Sequence, residues 1–245
     1  MAILYGFHAV LARAKQQASS VEEVLYDQSR KDKRMQQCLD KLHKARVKCT
    51  PADGERLEKA AGHGNHQGLV AFAKELERTT DLFEIIDTYG KDTLLLVLDG
   101  VTDPHNLGAC LRSADAAGVH AVILPKDKSV GITPVVSKVA CGAAETIPVI
   151  TVTNLARTLK EIQEAGVWCI GTAGEADDTL YDLKLTGPTA WVLGAEGEGM
   201  RRLTRETCDQ LVRIPMMGTV ESLNVSVASS VCLFETLRQR IQAQK

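Results

Sequence analysis

The sequence predicts an α/β fold in which a parallel sheet occupies the larger, C-terminal part of the chain. Short runs rich in leucine and β-branched residues recur from Thr93 onward, and helical stretches separate several of them. This alternation is typical of parallel strands covered by helices on both faces. The 245 residues, 44% of them hydrophobic, suffice for one large domain or two small ones.

Six apolar runs are the predicted strands: TLLLVLD, VHAVILP, ETIPVIT, VWCIGTA, AWVLG and LVRIP. The predicted helices among them are NLGACLRSADAAG, TPVVSKVACGAAE, TNLARTLKEIQEAG and LTRETCDQ, and VCLFETLRQRIQAQK follows as a terminal helix. Gly118 and Gly166 are stop signals placed directly before a strand. Asn154 is an expected N-cap. These signals set the order of elements in the larger part.

Residues 1–74 are predicted to form a smaller unit, residues 75–92 a linker and residues 93–245 the larger domain. In the smaller unit, GFHAVLARAKQQ and DKRMQQCLDKLHKARV are predicted helices, and VEEVLYDQ and GLVAFAK predicted strands. Residues 1–74 carry 13 basic and 8 acidic side chains, whereas residues 75–245 carry 16 and 23. A basic smaller unit joined to an acidic larger domain suggests that the smaller unit binds a polyanion. The alternative is that the basic residues form a solvated helix face.

Composition excludes several classes of protein. No apolar run approaches the roughly 18 residues that cross a membrane, and no signal peptide is evident, so a cytoplasmic protein is expected. The seven cysteines form no Cys-x-x-Cys pair, which speaks against a disulfide framework or a bound metal. No Gly-x-Gly-x-x-Gly follows a predicted strand, which disfavours a dehydrogenase. Aromatic residues make up only 4%, so RNA contacts should be mostly to backbone and shape.

Polar residues follow the first predicted strand of the larger domain, where ligands of α/β sheets bind. In LDGVTDPHNLGACLR, Asn106 and Arg112 stand six residues apart across the start of a helix, where an anion would also meet free backbone N–H groups. Asp99, Asp103 and His105 are conceivable metal ligands. A strand-end turn containing Asp and Pro is the plainer alternative.

Two further loops carry candidate site residues. WVLGAEGEGM places Glu196 among glycines beginning at Gly194, which suits a cofactor with cationic groups better than a phosphate; a glycine-rich turn is the alternative. MGTVESLNVSVASS is poor in helix formers. Ser222 or Asn224 can cap a helix there, and the alternative is a tightly packed helix without chemistry.

Together and in this order, NLGACLRSADAAG, VLGAEGEGM and IPMMGTVESLNVSVASSVCLFE resemble the three signature motifs of the SpoU (TrmH-like, SPOUT superfamily) RNA ribose 2′-O-methyltransferases. The resemblance covers residues 93–245. The smaller unit, with YGFHAV and HGNHQGLVA, is similar to the substrate-binding domain of the branch that methylates a guanosine of 23S ribosomal RNA. No DNA partner is implied.

The resemblance implies a trefoil-knotted methyltransferase domain, a homodimer, and a smaller unit like ribosomal proteins L30e and L7Ae. It also implies S-adenosylmethionine as the cofactor, contacted by Gly194, Ile214 and Leu223. The implied catalytic residues are Asn106, Arg112, Glu196, Ser222 and Asn224. Because a guanidinium stays protonated, we expect Arg112 to clamp an RNA phosphate. A tRNA target and a non-catalytic RNA-binding role are the alternatives.

Overall fold

The computed structural model describes residues 2–62, 66–74, 81–195, 197 and 199–244. It divides into two compact units. The smaller unit comprises Met1–Arg78 together with Ile132–Thr146, and the larger unit comprises Thr79–Gly131 together with Ile147–Lys245. The sequence division at residue 93 places the segment 132–146 in the larger domain, whereas its contacts group it with the smaller unit.

The described strands are β1 (Ala2–Tyr5), β2 (Val21–Asp27), β3 (Cys49–Ala52), β4 (Leu69–Ala73), β5 (Leu94–Asp99), β6 (Ala121–Pro125), β7 (Val149–Val152), β8 (Trp168–Thr172), β9 (Thr189–Gly194) and β10 (Gln210–Val212). The described α-helices are α1 (Phe7–Gln17), α2 (Lys33–Lys44), α3 (Gly54–Ala61), α4 (Leu82–Tyr89), α5 (Pro104–Ala117), α6 (Pro134–Val139), α7 (Leu155–Glu164), α8 (Arg202–Thr207) and α9 (Val225–Ala243). None of these helices combines the length and apolar content that a membrane crossing requires.

The larger unit contains a parallel sheet, as the alternating pattern predicts. Its strand order is β10-β8-β9-β5-β6-β7, and every neighbouring pair is parallel. All six residues of β5, LLLVLD, are buried, as expected of a central strand covered on both faces. Asn154 caps α7 by accepting from the Arg157 N–H, and Gly118 ends α5 in the left-handed conformation.

The smaller unit contains a mixed sheet of order β1-β4-β2-β3. Both predicted strands and both predicted helices are present as β2, β4, α1 and α2. Strands β1 and β3 and helix α3 were not predicted from the sequence. The four residues of β3, CTPA, include a proline, which is a poor strand signal, and α3 has only eight residues.

The segment 132–146 is fixed to the rest of the smaller unit by a buried ion pair. Arg13 and Glu145 are each 4% exposed, and Arg13 Nε donates to Glu145 Oε2 at 2.6 Å. Arg13 Nη1 also donates to the Lys74 carbonyl at 2.8 Å. Nearby, a Cβ on Gly142 would lie 2.6 Å from the Ala12 Cβ, so only glycine allows this close approach.

The first turns of helix α9 are rich in serine, and two of these serine hydroxyls contact side chains of α5. Asn224 is the N-cap and accepts from the Ser226 N–H. Ser230 Oγ donates to Ser113 Oγ at 2.7 Å, and the fully buried Ser229 lies with its Oγ 3.5 Å from the Cys110 Sγ. Burial raises the pKa of the Cys110 thiol to about 11, which favours the protonated thiol at neutral pH. These small side chains let the two helices approach closely.

We predict that Glu145→Gln destabilises the smaller unit strongly, because it leaves the buried Arg13 charge without its partner. Breaking a buried pair costs about 3–5 kcal/mol. The matched control is Glu161→Gln, which removes the exposed Arg157–Glu161 pair within α7, typically worth only about 0.3–0.5 kcal/mol. Urea unfolding monitored by circular dichroism measures both variants. Equal unfolding midpoints for the two would contradict this role of the ion pair.

Candidate active site

A cavity of about 550 Å³ lies in the larger unit at the carboxyl ends of its strands. It is bordered by residues that follow β8, by the end of β9, by the chain after β10 and by the first turn of α9. The lining includes Thr172, Ala173, Gly174, Glu175, Leu193, Gly194, Met200, Arg205, Arg213, Ile214, Met216, Glu221, Ser222, Leu223 and Ala228. In parallel α/β sheets this edge is where ligands bind.

A tight loop after β9 forms one wall of the cavity. The backbones of Ala195 and Gly199 pair in both directions, with N–O distances of 3.2 and 3.0 Å. A Cβ added to Gly194 would lie 2.0 Å from the carbonyl carbon of Gly199, so the loop folds back over a position that only glycine can occupy. Gly197 and Gly199 have φ of 80° and 68°, which favours glycine.

The loop is fastened to the centre of the sheet by Asp99, the last residue of β5. The Asp99 side chain is fully buried. Its two carboxylate oxygens accept from the Arg201 backbone N–H at 2.9 Å and from Arg201 Nε at 2.6 Å. Asp99 therefore binds an arginine, and Asp103 caps α5 by accepting from the His105 N–H. Two of the three conceivable metal ligands, Asp99 and Asp103, are thus engaged by other contacts.

Asn106 and Asn224, which are 118 positions apart in the sequence, are joined by a hydrogen bond. Asn224 Nδ2 donates to Asn106 Oδ1 at 2.9 Å. The Asn224 Oδ1 accepts from the Ser226 N–H at 2.9 Å, so one carboxamide caps α9 and also binds α5. Neither asparagine lines the cavity. The bond links the first and third sequence motifs at the edge of the site.

The predicted site residues fall into three groups. Gly194, Ile214, Ser222 and Leu223 line the cavity. Arg112, like Asn106 and Asn224, does not line it. The Arg112 side chain is exposed on α5 and makes no hydrogen bond or ion pair with any residue that the structure describes. Glu196 lies outside the described residues.

The charged part of the cavity wall was not predicted from the sequence. Glu175 follows β8 and forms an ion pair with Arg205 of α8. Arg213 follows β10 and donates to the backbone carbonyls of Ala176 and Asp177. The signal was available, because GEAD directly follows the predicted strand VWCIGTA and so lies at the same sheet edge. The cavity thus offers carboxylates and guanidinium groups beside apolar walls.

Comparison with protein families gives two matches. Residues 93–234 match the SpoU rRNA Methylase family. Residues 3–79 match the domain described as RNA 2′-O ribose methyltransferase substrate binding. The first match contains β5 through most of α9, and therefore the whole cavity wall. The second contains the sheet of the smaller unit.

Relatives and solved structures agree with these matches. A protein of Ralstonia nicotianae named 23S rRNA (guanosine-2′-O-)-methyltransferase RlmB is 63% identical over 97% of this chain and 96% of its own length. A crystal structure of an RNA 2′-O ribose methyltransferase has a TM-score of 0.81 at 30% identity, covering 98% of this chain and 88% of that one. The SpoU methyltransferase AviRb from Streptomyces viridochromogenes, in complex with AdoMet, has a TM-score of 0.78 at 27% identity and covers 98% and 90%. The chain belongs to the SpoU rRNA methylase family.

Proposed function

We propose that this protein uses S-adenosylmethionine to methylate the ribose 2′-hydroxyl of a guanosine in 23S ribosomal RNA. The observation that carries the proposal is the cavity at the sheet edge, whose wall joins Gly194, Ile214 and Leu223. These residues come from three separate segments of the chain. The substrate follows from the Ralstonia relative, which matches this chain over nearly its full length.

The cavity fits S-adenosylmethionine in size and in chemistry. Its volume of about 550 Å³ lies within the roughly 300–1,000 Å³ of small-molecule sites. Leu193, Ile214 and Leu223 offer apolar surface for a flat base. Glu175 and Arg205 pair with each other in this structure, and on separating they would suit an ammonium and a carboxylate. We propose that Gly194, Ile214 and Leu223 contact the cofactor.

The chemistry requires little of the protein beyond positioning. When bound, the cofactor supplies a methyl group on a sulfonium, whose departure leaves a neutral thioether. The ribose oxygen must be held in line with that methyl group, and its proton must be accepted as the new C–O bond forms. We assign Ser222 and Asn224, at the start of α9, to ordering this end of the cavity.

Arg112 is proposed to hold the RNA. Its guanidinium remains protonated and lies exposed without a partner among the described residues. A planar fork of donors binds a phosphate through two hydrogen bonds, and its charge stabilises a developing alkoxide. The proton acceptor is proposed to be either the adjacent RNA phosphate or a transiently neutral Arg112. Asn106 orients the ribose, and Glu196 supports the loop after β9.

The smaller unit is proposed to bind the RNA substrate, and residues 1–74, 75–92 and 93–245 remain our proposed domain, linker and catalytic domain. The excess of basic residues in the smaller unit favours binding of a polyanion. The family model that matches this unit is described as an RNA 2′-O ribose methyltransferase substrate-binding domain, so RNA is the polyanion that we propose. We further propose its likeness to ribosomal proteins L30e and L7Ae, a trefoil knot in the catalytic domain, and action in the cytoplasm, where 23S rRNA is found.

A homodimer is supported by an apolar stripe on α9. Val227, Phe234 and Ile241 are 47%, 45% and 48% exposed. Their spacing of seven residues places them on one face of the helix. We propose that this face packs against a second copy of the chain, because the burial of three large apolar side chains would favour association.

The proposed function predicts that the purified protein binds S-adenosylmethionine and methylates one guanosine of 23S rRNA. Gly194→Ala should abolish both, because the added Cβ collides with the Gly199 backbone. Gly187→Ala is the matched control, since nothing lies within 4 Å of its Cβ. Calorimetry measures cofactor binding, and mapping of ribose methylation in rRNA identifies the nucleotide. Methylation of tRNA alone would replace the proposed substrate with the alternative one.

We predict that Arg112→Lys lowers the rate of rRNA methylation about 100-fold, the scale of losing one transition-state donor, because lysine lacks the planar fork. The affinity for S-adenosylmethionine should be unchanged, since Arg112 does not line the cavity. Arg202→Lys, at an exposed position on α8, serves as the control. Single-turnover assays measure the rate, and near wild-type turnover by Arg112→Lys would refute the clamp.

We predict that Phe234→Glu converts the dimer to a monomer, because it places a charge within the apolar stripe. Leu203→Glu, on α8, is the control, because Leu203 is 57% exposed but lies outside the stripe. Light scattering coupled to size-exclusion chromatography gives the molar mass. A wild-type monomer, or a Phe234→Glu dimer, would count against this interface.

A further inference from the structure

Two arginines of the smaller unit share one aromatic ring. The guanidinium carbons of Arg30 and Arg34 lie 5.2 and 4.5 Å from the centroid of the Phe7 ring. Phe7 is only 3% exposed, so the ring is covered. Arg34 is exposed and Arg30 is half-buried. Cation–π attraction holds both charges at the surface, and we call these two residues the arginine pair.

Neighbouring groups hold the arginine pair in place. Arg30 Nε donates to Asp32 at 2.7 Å, and Arg30 Nη1 donates to the Gln67 carbonyl at 2.6 Å. Arg34 Nη2 lies 3.2 Å from His8 Nε2, and the histidine nitrogen is the acceptor because a guanidinium can only donate. The side chains are therefore ordered before any ligand binds, which reduces the entropy lost on binding.

A glycine next to the arginine pair has the backbone that this arrangement needs. Gly68 has φ of +74°, and an added Cβ would lie 3.0 Å from Arg30 Cδ and 3.1 Å from Asp27 Cβ. A larger residue would displace the Arg30 side chain from its path to the Gln67 carbonyl. The absence of a side chain at Gly68 therefore leaves the space that the Arg30 side chain occupies.

Basic side chains outnumber acidic ones around the arginine pair. Residues 30–34, RKDKR, contain four basic residues and one acidic residue. The first turn of α2 carries Lys33 and Arg34, and its N-cap Asp32 accepts both from the helix N-terminus and from Arg30. Both guanidinium groups lie over one ring. Arg30 is paired with Asp32, whereas Arg34 forms no ion pair with a carboxylate among the residues that the structure describes. An incoming anion would therefore supply Arg34 with the ionic partner that the described part of the chain does not provide.

We propose that the arginine pair clamps the sugar–phosphate backbone of the RNA substrate, an inference that rests on the proposed function and adds the contact surface to it. Guanidinium groups bind phosphate oxygens through paired hydrogen bonds. The buried Phe7 ring cannot stack on a base, so the contact positions the RNA without reading its sequence. Specificity for the methylated guanosine then arises elsewhere.

The test compares Arg34→Gln with Lys44→Gln in the full-length protein. Lys44 is exposed on the same helix and contacts neither Phe7 nor the arginine pair, so the two variants lose the same charge. Binding of transcribed 23S rRNA is measured at several salt concentrations. Arg34→Gln should weaken binding roughly 10-fold and flatten the slope of log K against log salt by about 1. Lys44→Gln should stay within about twofold of the wild type.

Arg30→Gln/Arg34→Gln should lower the affinity further, and an RNA of unrelated sequence should lose the same factor. Circular dichroism melting checks that each variant is folded; because Arg34 is exposed, the single variant decides the question if the double variant unfolds. Equal affinities for Arg34→Gln and Lys44→Gln would overturn the clamp, as would a loss confined to one RNA sequence. Titration of S-adenosylmethionine separates the two proposals: failure of the wild type to bind it refutes the proposed function, whereas a lost RNA affinity with intact cofactor binding supports the clamp.

Discussion

The buried carboxylate of Asp99 is the contact on which the candidate site depends. It stands at the end of a central strand, has no exposed surface, and accepts from both the backbone and the side chain of Arg201. A charge removed from water needs such donors, since each charge-assisted bond contributes about 1.5–3 kcal/mol. The loop after β9 is thereby fixed against the sheet edge, and the glycines within it can form a cavity wall.

The larger unit was predictable because its strands are buried on both faces and therefore appear as continuous apolar runs. LLLVLD and AWVLG are such runs, and both became central strands. The four residues CTPA of β3 contain no comparable apolar run. This strand is defined by its pairing with β2, which is distant in the sequence. The same limit applies to the cavity. Gly194 and Leu223 were proposed from motifs, whereas Arg205 and Arg213 join the wall only because the chain folds them there.

The start of α9 shows how a helix with poor intrinsic propensity can be stabilised. Asn224 satisfies a backbone donor, and Ser230 binds Ser113 of the facing helix. Bulkier helix formers at these positions would force α5 and α9 apart. The Asn106–Asn224 bond would then be lost, because both carboxamides lie at the ends of these two helices. Packing density and site geometry therefore depend on the same few small side chains.

The excursion of residues 132–146 limits how this chain can be divided. The segment leaves the larger sheet after β6 and returns before β7, yet it carries Glu145, the partner of Arg13. A gene fragment that starts at residue 93 would retain the glutamate and discard the arginine, whereas one that ends at residue 74 would do the reverse. Transplanting either half into another protein as a contiguous block would leave a buried charge uncompensated. Recombination at that boundary should therefore be tolerated only when the excursion is exchanged as well.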